Sequence, residues 1–379
     1  MDIRKIFSKQ LGFGAMRLPG ASQKNIDYDQ VSLMVDMFLE RGFNYFDTAF
    51  IYPGSEDALK RCLTSRHPRE SFLLTDKLPP WNSNSWEGYE RDFNKSLARC
   101  GVDYFDIYLM HNMGAPTYPG VQTAKGFEFI AKKKAEGKAR FIGFSFHDTP
   151  EYLDIILTEH PEVDVVQLQI NYSDWENPAV QSRACYEVAK KHGKPVIVME
   201  PVKGGGLTNL PAAAIEQFKM LDPNASPASY AIRFAASLDN VAIVLSGMSD
   251  LGQLKNNTDY MANFIPLSDA ERETIERVRI ILATSGEIGC TNCRYCVEGC
   301  PMNIAIPNLF SVYNGVMQYG KGNFPAMLFE RAVEGKGKPS DCIGCGICED
   351  HCPQHLPIRE HLKTISNMFE GKPRTPGVI

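Results

Sequence analysis

Two runs of cysteine carry the densest chemistry in this chain. The first is Cys290, Cys293, Cys296 and Cys300, followed by Pro301; the second is Cys342, Cys345, Cys348 and Cys352, followed by Pro353. Both read C-x2-C-x2-C-x3-C-P. Three thiolates two residues apart on one tight loop can hold three irons of a cubane, and the fourth cysteine of such a run commonly ligates the other cluster. The spacing therefore predicts two [4Fe–4S] clusters with crossed ligands. Cys290, Cys293 and Cys296 take Cys352, and Cys342, Cys345 and Cys348 take Cys300. Zinc sites use cysteines in pairs and explain neither the third cysteine nor the Cys-Pro ending. A disulfide scaffold needs an oxidising compartment, and the opening residues MDIRKIFSKQLGFG hold no apolar run of a secretory signal. Cys62, Cys100 and Cys185 have no partner at motif spacing and read as small buried hydrophobes.

A second constellation lies far upstream: Asp47 and Tyr52, then Lys77, then His111. A tyrosine hydroxyl has an ordinary pKa near 10 and is a poor proton donor at neutral pH. An adjacent lysine would lower it by stabilising the phenolate. A carboxylate would fix the lysine, and a histidine could orient and polarise a carbonyl oxygen. These four residues fit reduction of a carbonyl, with Tyr52 giving the proton to the forming alkoxide.

Such residues need a scaffold that brings them to one mouth. Short apolar runs occur at 11–14, 43–46, 72–75, 105–109, 141–144, 165–170, 196–199 and 241–245. Each has the composition of a strand buried on both faces. Amphipathic helix patterns separate most of them, at 30–41, 127–136, 177–192 and 228–236, with Ser226 and Pro227 opening the last. Eight such units predict an α/β chain, a (β/α)8 TIM barrel, whose active site lies at the C-terminal ends of the strands. A doubly wound sheet is disfavoured because Gly12-Phe-Gly14 lacks a third glycine and a following helix. A closing helix at 269–283 is signalled by the capping box Ser268 and Glu271. The barrel is expected over 1–284. The tail, 285–379, holds helical patterns at 308–319 and 326–333 and no internal repeat beyond the two cysteine runs.

The barrel segment resembles the aldo/keto reductase superfamily. The resemblance rests on Leu11-Gly-Phe-Gly-Ala-Met-Arg-Leu-Pro19, the Asp47 to Tyr52 stretch, Lys77, the run ending in His111, and motifs in the same order up to about residue 280. The tail is similar to a helical, two-cluster bacterial-type ferredoxin. This resemblance implies NAD(H) or NADP(H) extended across the mouth. Ser145, Gln169 and Asn171 would meet the nicotinamide carboxamide, and Tyr172 would stack on the ring. Pro201, Gly204, Gly205, Gly206 and Leu207 would admit the pyrophosphate. Ser246, Gly247, Ser249, Gln253, Asn256 and Asn257 would hold the adenosine end. Ser145 is followed by Phe146-His147 where the family has asparagine, and the 246–253 loop has no cation for a 2′-phosphate.

Composition narrows the partners. The chain has 379 residues, a formal net charge of −5, 44% hydrophobic and 22% charged residues. That is a globular composition. Net negative charge disfavours nucleic acid, and no apolar run reaches the length of a membrane span. The expected setting is the cytoplasm, with a small-molecule substrate and a redox partner protein or electron carrier. Hydride moves two electrons and each cluster one. A flavin, or cluster-linked reduction without nicotinamide, therefore stays open beside the coupled reading. So do structural clusters on an ordinary reductase and a non-catalytic electron carrier or redox sensor. Pro79, Pro80, Trp81 and Trp86 are candidates for an apolar binding surface or a packed loop, and Lys132 to Lys134 for a solvated helix face.

Overall fold

The computed structural model describes residues 3–22, 25–319 and 323–371. Eight strands form a closed, all-parallel barrel: β1 (Leu11–Gly14), β2 (Tyr45–Asp47), β3 (Leu73–Leu78), β4 (Phe105–Met113), β5 (Ala139–Phe146), β6 (Val165–Gln169), β7 (Val196–Met199) and β8 (Val241–Ser246). Each strand pairs with its sequence neighbours, and β8 closes on β1 through Leu11 opposite Val244. Tyr45, Leu73, Ile107, Leu109, Phe141, Val165, Ile197, Ile243 and Leu245 pack the inside with Ile3.

Local chemistry sets the helix boundaries. Asp27 caps Tyr28–Glu40 by accepting from the Gln30 amide, and Ser226 caps Pro227–Ala236 by accepting from the Ser229 amide. Ser268 and Glu271 form the expected capping box, each backbone amide donating to the other's side chain. The pattern at 177–192 yields a shorter helix, Ser182–Lys191. Asn177 Oδ1 accepts from the Ala179 and Val180 amides, and Gln181 is left-handed at φ 52°. That local turn delays the helix. The lysine run departs from a solvated face at its centre. Lys133 is only 4% exposed, donates to Glu90 and Glu136, and lies over the Phe93 and Phe129 rings.

The chain divides into two compact units, one of residues 1–202 and 224–272, the other of Lys203–Pro223 and Glu273–Ile379. The segment after β7 thus groups with the tail, whereas the sequence places a single boundary at 284/285. The tail is a duplication, and the repeat extends well beyond the cysteines. Residues 52 apart correspond. Short helices Tyr295–Glu298 and Ile347–Asp350 match, as do the starts of Ile306–Tyr319 and Ile358–Phe369. Left-handed residues match too: Asn292 with Gly344, Arg294 with Gly346, and Asn303 with His355. Ile288, Ile304, Leu309, Phe310, Phe329, Ile358, Leu362 and Ile365 form a separate core for this unit.

Candidate active site and cysteine centres

Asp47 ends β2, Lys77 lies near the end of β3, and His111 stands on β4 two residues before its end. Strand β4 runs further than its apolar pattern, so His111 belongs to the strand rather than to the loop after it. All three side chains are buried. Lys77 Nζ is the hub. It donates to Asp47 Oδ1 at 2.5 Å and to the Thr48 carbonyl at 2.7 Å, and lies 5.2 Å from the Tyr52 ring centroid. Gln167 Nε2 donates to Asp47 Oδ2 at 3.0 Å. Tyr52 and His111 meet edge to face, with ring centroids 5.9 Å apart, and Trp81 covers His111 at 5.6 Å. Trp86 instead packs on Phe129, away from these four.

Burial dominates the electrostatics here. It raises the Asp47 carboxyl above its ordinary range despite Lys77 and Gln167. It holds His111 well below the usual histidine value, with the nearby charges of Lys77 and His147 adding to the effect. The imidazole is therefore neutral at pH 7, and its buried Nδ1 has no partner among the described residues. Burial, then Asp47, raises the Tyr52 phenol well above 10, with Arg17 the main opposing charge. The expected net acidification of Tyr52 is not seen: burial and the Asp47 carboxylate that pairs with Lys77 outweigh the favour the ammonium gives a phenolate.

The groups expected to meet a nicotinamide are largely engaged with the protein. Ser145 Oγ accepts from the Asn112 amide at 2.8 Å. Buried Asp174 collects Gln169 Nε2 at 2.8 Å and Asn171 Nδ2 at 2.7 Å, and its own amide donates to Asn171 Oδ1. Tyr172 is 0% exposed, with the Phe234 ring near-perpendicular to it, so no face of its ring is open to a ligand. The adenosine-end candidates do gather on the loop after β8 and on helix Leu251–Ala262. Asn257 Nδ2 donates to Ser246 Oγ, Gln253 accepts from the Ser249 amide, and Ser226 Oγ donates to Asn256 Oδ1. Asp250 caps this helix and also accepts from Gln253 Nε2.

Three groups at the barrel mouth were not singled out by the sequence. Gln167 is one. Arg17 and Glu200, which follow β1 and β7, form a 3.3 Å ion pair, and both charges act on Tyr52. Glu200 Oε2 is buried without a partner among the described residues, and its backbone is left-handed at φ 56°. Extending the strand-end reading to β1 and β7 would have found both.

Pro201 is buried and follows Glu200. Beyond it, Lys203, Gly204 and Gly205 have φ of 50°, 63° and 96°. A Cβ on Gly204 would lie 2.2 Å from the Thr291 carbonyl oxygen, whereas Gly206 has nothing within 4 Å. Leu207 is buried.

The eight cysteines fall into two groups. Burial raises the Cys296 thiol, and the sulfurs acting on it next are Cys293, Cys290 and Cys352. Cys348 is pushed up to about 11 by burial, then Glu349, with Cys342 and Cys300 also acting on it. Each fourth cysteine therefore lies near a cysteine of the opposite run. Cys300, Cys342, Cys345 and Cys348 line one pocket with Ile304, Ile306 and Leu362. Four convergent sulfurs in apolar surroundings fit a cubane.

Comparison with known proteins agrees with both halves. The Aldo/keto reductase family profile matches residues 10–280, and that of the 4Fe-4S dicluster domain matches 289–356. An aldo-keto reductase of Mycolicibacterium vanbaalenii is 30% identical over 58% of this chain and 74% of its own length. A 9,11-endoperoxide prostaglandin H2 reductase of Trypanosoma cruzi is 27% identical over 65% of this chain and 80% of its own. The crystal structure of an aldo-keto reductase from Klebsiella pneumoniae in complex with NADPH superposes with a TM-score of 0.58 at 21% identity, covering 71% of this chain and 90% of that one. The barrel, the four residues at its mouth and the two cysteine groups thus converge: the chain belongs to the aldo/keto reductase family and carries a C-terminal 4Fe-4S dicluster domain.

Proposed function

We propose that the barrel reduces a small carbonyl compound, or oxidises the corresponding alcohol, with NAD(P)(H), and that two [4Fe–4S] clusters exchange single electrons with a partner. The carrying observation is that Tyr52 and a neutral His111 meet edge to face above the buried Lys77–Asp47 pair. A nicotinamide would supply hydride. The protein's part is proton chemistry and orientation. Neutral His111 offers one N–H to the substrate oxygen. Tyr52, kept protonated by its high pKa, donates its proton to that oxygen as negative charge develops, because an alkoxide is more basic than a phenolate. Lys77, held by Asp47 and Thr48, then faces the emerging phenolate with a fixed positive charge. Trp81 supplies an apolar wall against His111.

The polar atoms left over support a bound ligand. His111 Nδ1 and Glu200 Oε2 are buried and lack partners among the described residues, which costs about 1–3 kcal/mol each unless something pairs with them. The 246–253 loop and the N-terminus of Leu251–Ala262 would hold the nucleotide. With no lysine or arginine in that loop and Asp250 at the helix cap, NADH is the expected partner in preference to NADPH. A second reading, reduction linked to a flavin or to the clusters without nicotinamide, draws on the engaged Ser145, Gln169 and Asn171 and the covered Tyr172.

The cysteine pairing supports the relay, as does exposed Cys345 with Ile343 and Ile347 at the surface beside it. An electron-carrier protein acting in a reducing cytoplasm suits such a centre. No helix among the described residues is long and apolar enough to cross a membrane. Anaerobically reconstituted protein would be titrated with NADH and NADPH, with and without a panel of aldehydes and ketones. The coupled reading expects carbonyl reduction and bleaching of cluster absorbance. It expects Tyr52→Phe to lower turnover roughly 10²–10⁴-fold. Bleaching only after a flavin is added would favour the second reading. Reduction of no carbonyl by either nucleotide would overturn the first.

A further inference from the structure

We propose that the glycine-rich segment Lys203–Thr208 is the cap of the first iron–sulfur loop and not a cradle for the nucleotide pyrophosphate. The inference rests on the reading that Cys290, Cys293, Cys296 and Cys352 hold a cluster. Glycines after a barrel strand have two physical uses: they let a phosphate approach the backbone, or they let another piece of backbone approach it. In this chain the second use is visible. Three successive left-handed residues, Lys203, Gly204 and Gly205, turn the segment so that the Gly204 Cα meets the peptide of Thr291. An added Cβ there would stand 2.2 Å from the Thr291 oxygen and 2.7 Å from its carbonyl carbon and Cα. Lys203 covers the other flank, with its Cε 3.1 Å and Nζ 3.4 Å from where a Cβ on Gly289 would be. Gly289 and Thr291 are the residues on either side of Cys290. Lys203 and Gly204 thus clasp the first ligand of the cluster from both sides.

The duplicated tail provides an internal control. The residue corresponding to Thr291 in the second run is Ile343. Thr291 is 1% exposed; Ile343 is 64% exposed. The two loops share their spacing and their left-handed positions, yet only the first is covered. Solvent exposure and local charge are among the factors that set the potential of a cluster. The cap is therefore a positioning element that fixes Cys290 and shields one cluster of the two.

The test compares three variants of the full chain, reconstituted with iron and sulfide without oxygen. Gly204→Ala brings the clash. Gly205→Ala carries the same left-handed strain with its nearest neighbour 4.0 Å away, and Gly206→Ala has neither. Expected for Gly204→Ala is loss of roughly half the bound iron, or a shifted paramagnetic signal and midpoint potential of one cluster with the other unchanged. Gly205→Ala and Gly206→Ala should keep the wild-type iron, signals and potentials, and binding of NADH, read by nucleotide fluorescence, should be the same in all three. Gly204→Ala with wild-type iron, signals and potentials, or with a selective loss of NADH binding, would overturn the cap. If the wild-type chain takes up no iron, the cluster reading itself fails, a result distinct from either.

Discussion

Replacing Lys77 by methionine separates what this residue does for the fold from what it does for catalysis. Its ammonium is 1% exposed at the side chain, 2.5 Å from Asp47 and 2.7 Å from the Thr48 carbonyl. Methionine keeps the stem and removes the charge. Among the described residues Asp47 then keeps only Gln167 as a side-chain donor, inside a site where burial already raises its pKa. Removing one partner of a buried pair costs about 3–5 kcal/mol, mostly through the charge left behind. At roughly 2–4 °C per kcal/mol for a domain of this class, the melting temperature should fall by about 6–20 °C. Adding Asp47→Asn removes the stranded carboxylate, and an amide can still accept from Gln167. The double variant should recover at least half of the lost stability. It should recover none of the turnover, because the positive charge facing the Tyr52 phenolate is still missing. Both variants should stay roughly 10²–10⁴-fold below the wild type in reduction of an electron-poor aromatic aldehyde by NADH. The assays are thermal melting followed by circular dichroism and nucleotide absorbance. A lysine-only variant that melts like the wild type, or a double variant that regains turnover along with stability, would refute the reasoning.

Three further outcomes follow. Because burial lowers the His111 pKa, the native chain takes up that proton at lower pH than the unfolded chain; stability should fall as pH drops below about 6.5, and His111→Asn should flatten that slope in denaturant titrations between pH 4 and 7. Because the Tyr52 pKa is raised, kcat/KM should show no alkaline inflection below pH 10, and an inflection near 8 that disappears in Tyr52→Phe would restore acidification by Lys77. Glu200→Gln should raise the KM for nucleotide or carbonyl roughly tenfold while costing less than about 1 kcal/mol of stability, since its ion pair with Arg17 is long and partly exposed; unchanged steady-state constants would show that Oε2 receives nothing from a ligand.

The tetrad was legible because chemistry at a barrel mouth has an address: polar residues just after apolar runs. That address gave Asp47, Lys77 and His111, and Tyr52 five residues beyond Asp47. It was less able to rank residues of equal parity. Gln167 and Gln169 are two apart on β6 and face the same way, yet depth along the barrel gives the first to Asp47 and the second to Asp174. Nor does a motif reveal whether its side chains are free. Asp174 engages the amides of Gln169 and Asn171, and Phe234 lies against Tyr172. Both contacts depend on packing that spacing does not encode. The glycine run shows a different limit. A sequence states that small residues are needed at 204–206, and only coordinates show that the thing approaching Gly204 is the backbone of Thr291.

The electron count gives the duplication a functional reading. Each cubane passes one electron at a time, whereas hydride carries two. Two clusters, formed as proposed, would hold both electrons of a hydride equivalent at once, which a single cubane would not. The 52-residue repeat copies the whole ligand loop, including its left-handed residues and the helix that follows. Crossed ligands, as proposed, would make each site depend on both runs. What the copies do not share is cover. Asn292 and Arg294 accept left-handed conformations in the first loop where Gly344 and Gly346 serve in the second, at about 1–2 kcal/mol per non-glycine residue. Side chains at 292 and 294 are thus kept in the loop that is covered at Thr291, while the glycine loop leaves Ile343 and Cys345 open to solvent. Divergence of this kind would give two centres of equal capacity different surroundings, so that one is the more accessible to a partner and the other the better shielded.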